Sequence, residues 1–265
     1  MNKTDKRLRK IMQVYLKSQK QVRPHFFLTG PTGSGKTHTI TKIADELSIP
    51  VISVNTAQIT NEGLAGNSIS KTLEPLSDHE GQAVIVFFDE FDKAIAAENE
   101  LTSGSVQAEL LKLLEDSTTE VFGSYGKYNR VSVDNVLFVF AGSFNGIDID
   151  SPAKLQELGV IPELIGRVGL HYTVEKASLE ELMMLVERSP LLKNYIGLMD
   201  GISHAKAVSD ISAELAAQFD SNMIGIRLIN SLIHQYFIDG GFMTVTTRKL
   251  PEAAAQEVQL LFTND

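Results

Sequence analysis

Gly30-Pro31-Thr32-Gly33-Ser34-Gly35-Lys36-Thr37 has the spacing G-x-x-x-x-G-K-[ST], whose chemistry is the capture of a triphosphate. Its glycines let backbone N–H groups converge on phosphate oxygens without obstruction by Cβ atoms. A helix opening near Lys36 adds the partial positive charge of its N-terminus. Lys36 is then placed for the β- and γ-phosphates of ATP and the Thr37 hydroxyl for Mg²⁺. With His38 directly behind them, residues 30–38 form the expected nucleotide contact. Further along, Val84-Ile85-Val86-Phe87-Phe88 ends in Asp89-Glu90, an apolar run that delivers two carboxylates at one point. Such a run alone is more often the start of a solvated loop. Behind an upstream phosphate loop, Asp89 is expected to hold Mg²⁺, directly or through water. Glu90 is expected to polarise the water that attacks the γ-phosphate.

These groups need a scaffold. Short apolar runs bounded by turn residues, at His25–Thr29, Val51–Val54, Ala83–Phe88, Val136–Ala141 and more weakly at His171–Val174, read as buried parallel strands. Helical stripes lie between most of them, such as Ile40, Ile43, Ala44 and Leu47, or Val106, Leu110, Leu113 and Leu114. That alternation specifies an α/β layered domain with a parallel five-stranded sheet at 24–174. Beyond about residue 175 helical stripes dominate: Leu179, Leu182, Met183 and Val186, then Ile229, Leu232, Ile233 and Tyr236. A smaller, mainly helical domain is expected at 175–265. Ahead of the sheet, Leu8, Ile11, Met12, Tyr15 and Leu16 form one apolar stripe of a helix within a basic segment, 1–23, expected to pack on the body.

Composition sets the bounds. The chain has 265 residues, enough for one large domain or two, and 43% of them are hydrophobic, an ordinary share for a globular protein. No apolar run approaches the ~20 residues needed to cross a bilayer, and the opening residues do not read as a secretory signal. With no cysteine, disulfides and thiolate metal sites are excluded, and a cytoplasmic location without membrane partners is expected. The net charge of −9 hides an asymmetry. Lys3, Lys6, Arg7, Arg9, Lys10, Lys17, Lys20 and Arg23 oppose only Asp5 in the opening segment, which could touch phosphate or an acidic partner or form a solvated helix face.

In this order the motifs resemble the AAA+ ATPases, and within them the ClpX and HslU group of protein unfoldases, from about residue 24 to 240. Phe91-Asp92-Lys93 continues the Asp-Glu pair in the manner of that group, and residues 106–115 look like the helix that follows there. The resemblance implies an AAA+ core followed by a helical lid. Gly159-Val160-Ile161-Pro162-Glu163-Leu164-Ile165-Gly166-Arg167 is similar to the segment ending in the family's arginine finger, which makes Arg167 the group expected to reach a neighbouring subunit's γ-phosphate. Gly225-Ile226-Arg227 resembles the sensor-2 motif, so Arg227 is expected to couple bound nucleotide to lid position. The sensor-1 position follows the run Val136–Ala141, at Ser143 or alternatively Asn145, either of which can orient the lytic water by a hydrogen bond.

Two departures limit what is carried over. Asn61-Glu62-Gly63-Leu64-Ala65-Gly66 aligns with the family's first pore loop, but Leu64 and Ala65 replace an aromatic residue and its small aliphatic neighbour, reducing the rigid area available to grip a polypeptide. With no cysteine in the sequence, a zinc-binding N-domain of the family's kind is not expected, and the stretch from Ser143 to Arg167 is too short for a protease-docking loop. Ile196-Gly197-Leu198 resembles a docking tripeptide but reads as a buried helix end, so a ClpP-like peptidase partner is not expected. The resemblance therefore implies a homo-oligomeric ring, six subunits being the expected number, that spends ATP on a macromolecular client, protein ahead of nucleic acid. A nucleic-acid loader using the basic segment and a nucleotide-dependent assembly switch are the alternatives.

Overall fold

The protein is described by a computed structural model covering residues 3–59, 68–98, 104–123, 126–147, 149–199 and 201–241. Its strands are β1 (Phe26–Thr29), β2 (Val51–Asn55), β3 (Val84–Asp89), β4 (Thr118–Phe122), β5 (Tyr128–Ser132), β6 (Val136–Gly142) and β7 (Leu170–Thr173). Five of them form one parallel sheet in the order β2-β3-β6-β1-β7, as the apolar runs predict. The sequence reading missed β4 and β5, an antiparallel pair outside that sheet in which Val121 and Val131 are buried.

Alternation along the strands sends side chains to both faces of the sheet. Phe26, Leu28, Ile85, Phe87, Leu137 and Val139 point into one core, beneath α1 (Lys3–Lys17) and α2 (Lys36–Glu46). Phe27, Val86, Phe88, Phe138 and Phe140 point into the other, covered by α3 (Ile69–Thr72), α4 (Phe91–Glu98), α5 (Gly104–Glu115), α6 (Pro152–Glu157), α7 (Pro162–Val168) and the hairpin. The rings of Phe88 and Phe140 stack there at 5.2 Å. Burial on both faces explains why these strands read as continuous apolar runs.

The chain divides into two compact units: Met1–Ala177 with Met223–Ile226, and Ser178–Asn222 with Arg227–Asp265. The first is larger than the 24–174 stretch marked off by sequence, because it takes in α1 and residues 223–226. Helix α1 buries Leu8, Ile11, Met12 and Tyr15, and the Tyr15 hydroxyl joins the first residue of β3 to the residue just before β6: it donates to the Asn135 carbonyl and accepts from the Val84 N–H at 2.9 Å. The second unit contains α8 (Leu179–Arg188), α9 (Pro190–Leu198), α10 (His204–Gln218) and α11 (Arg227–Ile238). Ser178 and Glu181 form a capping box that starts α8. Leu182, Val186, Ile211, Leu215, Leu232 and Ile233 are among its buried side chains. Ile196-Gly197-Leu198 ends α9, but Leu198 is 82% exposed, which corrects the expectation of a buried helix end. Among the described residues no helix is long and apolar enough to cross a membrane.

Candidate active site

The phosphate loop leaves β1 at Thr29 and enters α2 at Lys36, the strand-to-helix context that the motif requires. Lys36 is buried, and its ammonium donates to the carbonyls of Gly30 at 2.7 Å and Pro31 at 3.0 Å, so it lies over the loop that it serves. The Ser34 hydroxyl is buried without a hydrogen-bond partner, an orphaned polar group inside a loop built for anionic oxygens. Thr32, Thr37 and His38 are exposed at the mouth, whereas Pro31, Gly33 and Gly35 are half-buried.

Residues 223–226 close one side of this loop. The Ile226 N–H donates to the Gly33 carbonyl at 2.9 Å. Gly225, at φ 59°, lies so close that a Cβ there would stand 2.4 Å from the same carbonyl oxygen, and a Cβ on Gly33 would stand 2.0 Å from the carbonyl oxygen of Ile224. Only glycine at both positions permits this approach. Arg227, the next residue, is exposed and opens α11 of the second unit.

The carboxylates arrive from β3. Thr37 Oγ1 donates to Asp89 Oδ2 at 2.9 Å, which joins the two groups expected at Mg²⁺ although 52 positions separate them in the chain. The other Asp89 oxygen accepts the Glu90 N–H at 2.9 Å. Glu90 itself has φ 56°, a left-handed conformation costing a non-glycine residue about 1–3 kcal/mol, and it is exposed just past the C-terminal end of β3. Strained backbone of this kind concentrates at functional sites, where the surrounding structure over-determines it.

Strand β6 runs between β1 and β3, with Gly142 opposite Thr29 and Phe140 opposite Phe88. Its end therefore emerges between the phosphate loop and the Asp89-Glu90 pair. Ser143 and Asn145 lie in the turn that follows, Ser143 half-buried and Asn145 exposed. On α7, Arg167 is 58% exposed and pairs with Glu115 of α5 at 2.8 Å. The buried Gln107 clamps the approach to that helix: its Nε2 donates to the Gly159 carbonyl at 3.1 Å and its Oε1 accepts the Ile161 N–H at 2.9 Å. The sequence reading gave Gln107 no separate role, since an amide inside an amphipathic helix carries no local signal. Leu64 and Ala65 lie outside the described residues.

A parallel sheet that carries a phosphate loop after one strand and paired acids after another, with a single strand between them, defines a P-loop NTPase. The comparisons narrow the class. Residues 26–154 match the family model described as "ATPase family associated with various cellular activities (AAA)". The chain is also similar to proteins named "ATP-dependent Clp protease ATP-binding subunit ClpX". That of Porphyromonas gingivalis is 28% identical over 281 residues, 86% of this chain and 68% of its own length. That of Treponema denticola is 24% identical across 83% of this chain and 66% of its own, and that of Bacteroides thetaiotaomicron 27% across 82% and 65%. The chain thus spans about two thirds of the length of these relatives. It is an ATPase with an AAA+ domain, ClpX-like in sequence along most of its length.

Proposed function

We propose that the chain is an ATP-driven protein remodeller that works as a homo-oligomeric ring and hydrolyses Mg·ATP at its subunit interfaces. The loop N–H groups and Lys36 hold the triphosphate, with Thr37 and Asp89 as ligands of Mg²⁺, whose charge offsets that of the phosphate oxygens. Glu90 takes the proton of the attacking water as the new bond to the γ-phosphorus forms and the bond to ADP breaks. Arg167 supplies positive charge to the site of the next subunit, and Arg227 ties nucleotide state to the helical unit, its chain entering α11 from the residues held on Gly33. The ring and the protein client are supported by the similarity to proteins named as the ATP-binding subunit of an ATP-dependent protease.

The observation that carries this reading is the disposition of Arg167. Its guanidinium is more than half exposed and, among the described residues, pairs with the surface carboxylate of Glu115, a disposition that leaves it accessible to a neighbour's site. ATPase rate per subunit, measured over a dilution series, should rise with protein concentration, and Glu90→Gln should bind ATP without turning it over. Turnover by a monomer that is independent of concentration would overturn the proposal.

A second reading, work on nucleic acid, draws on α1. Lys3, Lys6, Arg7, Lys10 and Lys17 are exposed and recur at helical spacing on the side opposite the buried stripe. Deleting residues 1–23 cannot test this, because it removes Tyr15 and its neighbours from the core. Paired Lys6→Glu and Lys10→Glu substitutions can. Stimulation of the ATPase by DNA or RNA that falls with salt and with this charge reversal would favour the second reading.

A further inference from the structure

Asp92 stands two residues beyond Glu90, in the first turn of α4, with its side chain only 8% exposed. Its carboxylate reaches across to the turn after β6. Oδ1 accepts the Ser143 N–H at 3.2 Å, and Oδ2 accepts the Ser143 hydroxyl at 3.1 Å and the Phe144 N–H at 3.0 Å. The approach is close enough to require glycine at the end of β6, since a Cβ on Gly142 would meet Oδ1 at 2.8 Å. Beyond it Phe144, Asn145 and Gly146 all have positive φ, at 45°, 54° and 74°. Two of these are not glycine, and the conformation persists because Phe144 is buried and Asp92 holds both N–H groups that lead into it. Asparagine is among the few side chains that tolerate this region.

A serine hydroxyl has one proton, and here Asp92 takes it. Asn145 has two amide protons, is exposed, and has no side-chain hydrogen bond among the described residues. The turn lies between the phosphate loop and Glu90 by the register of β6 with β1 and β3. We propose that Asp92 is a positioning residue that binds the Ser143 proton and fixes the left-handed turn, so that Asn145 is the hydrogen-bond donor this turn presents to the γ-phosphate or the attacking water. The proposal rests on the reading of the site given above and decides between the two residues that the sequence left open.

The test measures kcat, KM and equilibrium binding of a fluorescent ATP analogue for the full chain carrying Asn145→Ala, Ser143→Ala, Asp92→Asn or Glu90→Gln. Asn145→Ala should lower kcat by about 10²-fold, the usual loss for one donor aimed at the reacting centre, with analogue affinity within about threefold of the parent. Ser143→Ala should lower kcat by far less, since two backbone bonds to Asp92 survive it. Asp92→Asn, which sets an amide donor against the turn's N–H groups, should lose kcat without affinity, and adding Asn145→Ala to it should cost little more. Full turnover by Asn145→Ala, or an equal loss from Ser143→Ala, overturns the assignment. Asn145 is exposed, so that variant decides even where Asp92→Asn fails to fold. Retained turnover by Glu90→Gln would instead remove the site reading beneath it.

Discussion

Replacing Tyr15 with Phe tests how α1 is fastened to the sheet. The hydroxyl donates to the Asn135 carbonyl and, at 3.2 Å, to that of Val84, and it accepts the Val84 N–H at 2.9 Å. Phe preserves the buried ring and removes all three contacts. The N–H and the Asn135 carbonyl keep only their long mutual contact of 3.4 Å. A buried polar group left unsatisfied costs about 1–3 kcal/mol, so a loss of about 2–4 kcal/mol is expected. For a unit of this size that corresponds to a fall in Tm of about 5–10 °C, readable by circular dichroism. The same residue has an alkaline signature. Burial, only partly countered by the Val84 bond and the Arg23 charge, pushes its phenol from 10.0 up to about 12. The folded state thus keeps a proton that the unfolded chain releases near pH 10, so this contribution is complete below pH 10 and is lost as pH rises towards 12. Tyr15→Phe should therefore lose less stability than the parent between pH 10 and 12. A Tm within 1 °C of the parent's, together with an unchanged alkaline limb, would refute this reasoning.

His25 predicts the acid limb. Burial, reinforced by the Arg23 charge, lowers its pKa from 6.5 to about 4, and its neutral Nδ1 accepts the Phe138 N–H at 3.0 Å. The unfolded chain takes up this proton first, so stability present above pH 6.5 falls as pH drops towards 4, by at most about 3 kcal/mol. Urea midpoints at pH 7 and pH 5 should show the fall, and His25→Gln should reduce it. Gly225→Ala should weaken ATP binding by about tenfold or more, the equivalent of about 1.4 kcal/mol, because its Cβ must displace the Gly33 carbonyl. Calorimetry giving the parent's Kd would count against that contact as a support of the phosphate loop.

The five sheet strands were legible because each is buried on both faces and so appears as an unbroken apolar run, Val84–Phe88 most clearly. The β4–β5 pair was not. Thr118–Phe122 and Tyr128–Ser132 bury one residue each, Val121 and Val131, and five residues with one inward side chain give too little alternation to detect. The Gly123 and Gly126 that separate them were the available hairpin signal. The phosphate loop was legible because its chemistry is local, with eight consecutive residues supplying the turn, the lysine and the hydroxyl. What sequence could not show is what the fold brings together from afar: Asp92 with Ser143, Gly33 with Gly225, and Gln107 with the turn before α7. In each the partners lie more than 50 positions apart, and nothing in either segment alone names the other.

The account depends on a guanidinium supplied by one subunit to the nucleotide of another. Mixing two inactive variants, Arg167→Ala and Glu90→Gln, tests this directly. Where an Arg167→Ala subunit with an intact loop meets the finger of a Glu90→Gln neighbour, a complete site forms, so an equal mixture should recover up to about one quarter of wild-type turnover per subunit, the share of head-to-tail interfaces with that pairing. A mixture as inactive as its components, although both assemble, or full turnover by Arg167→Ala alone, would contradict it.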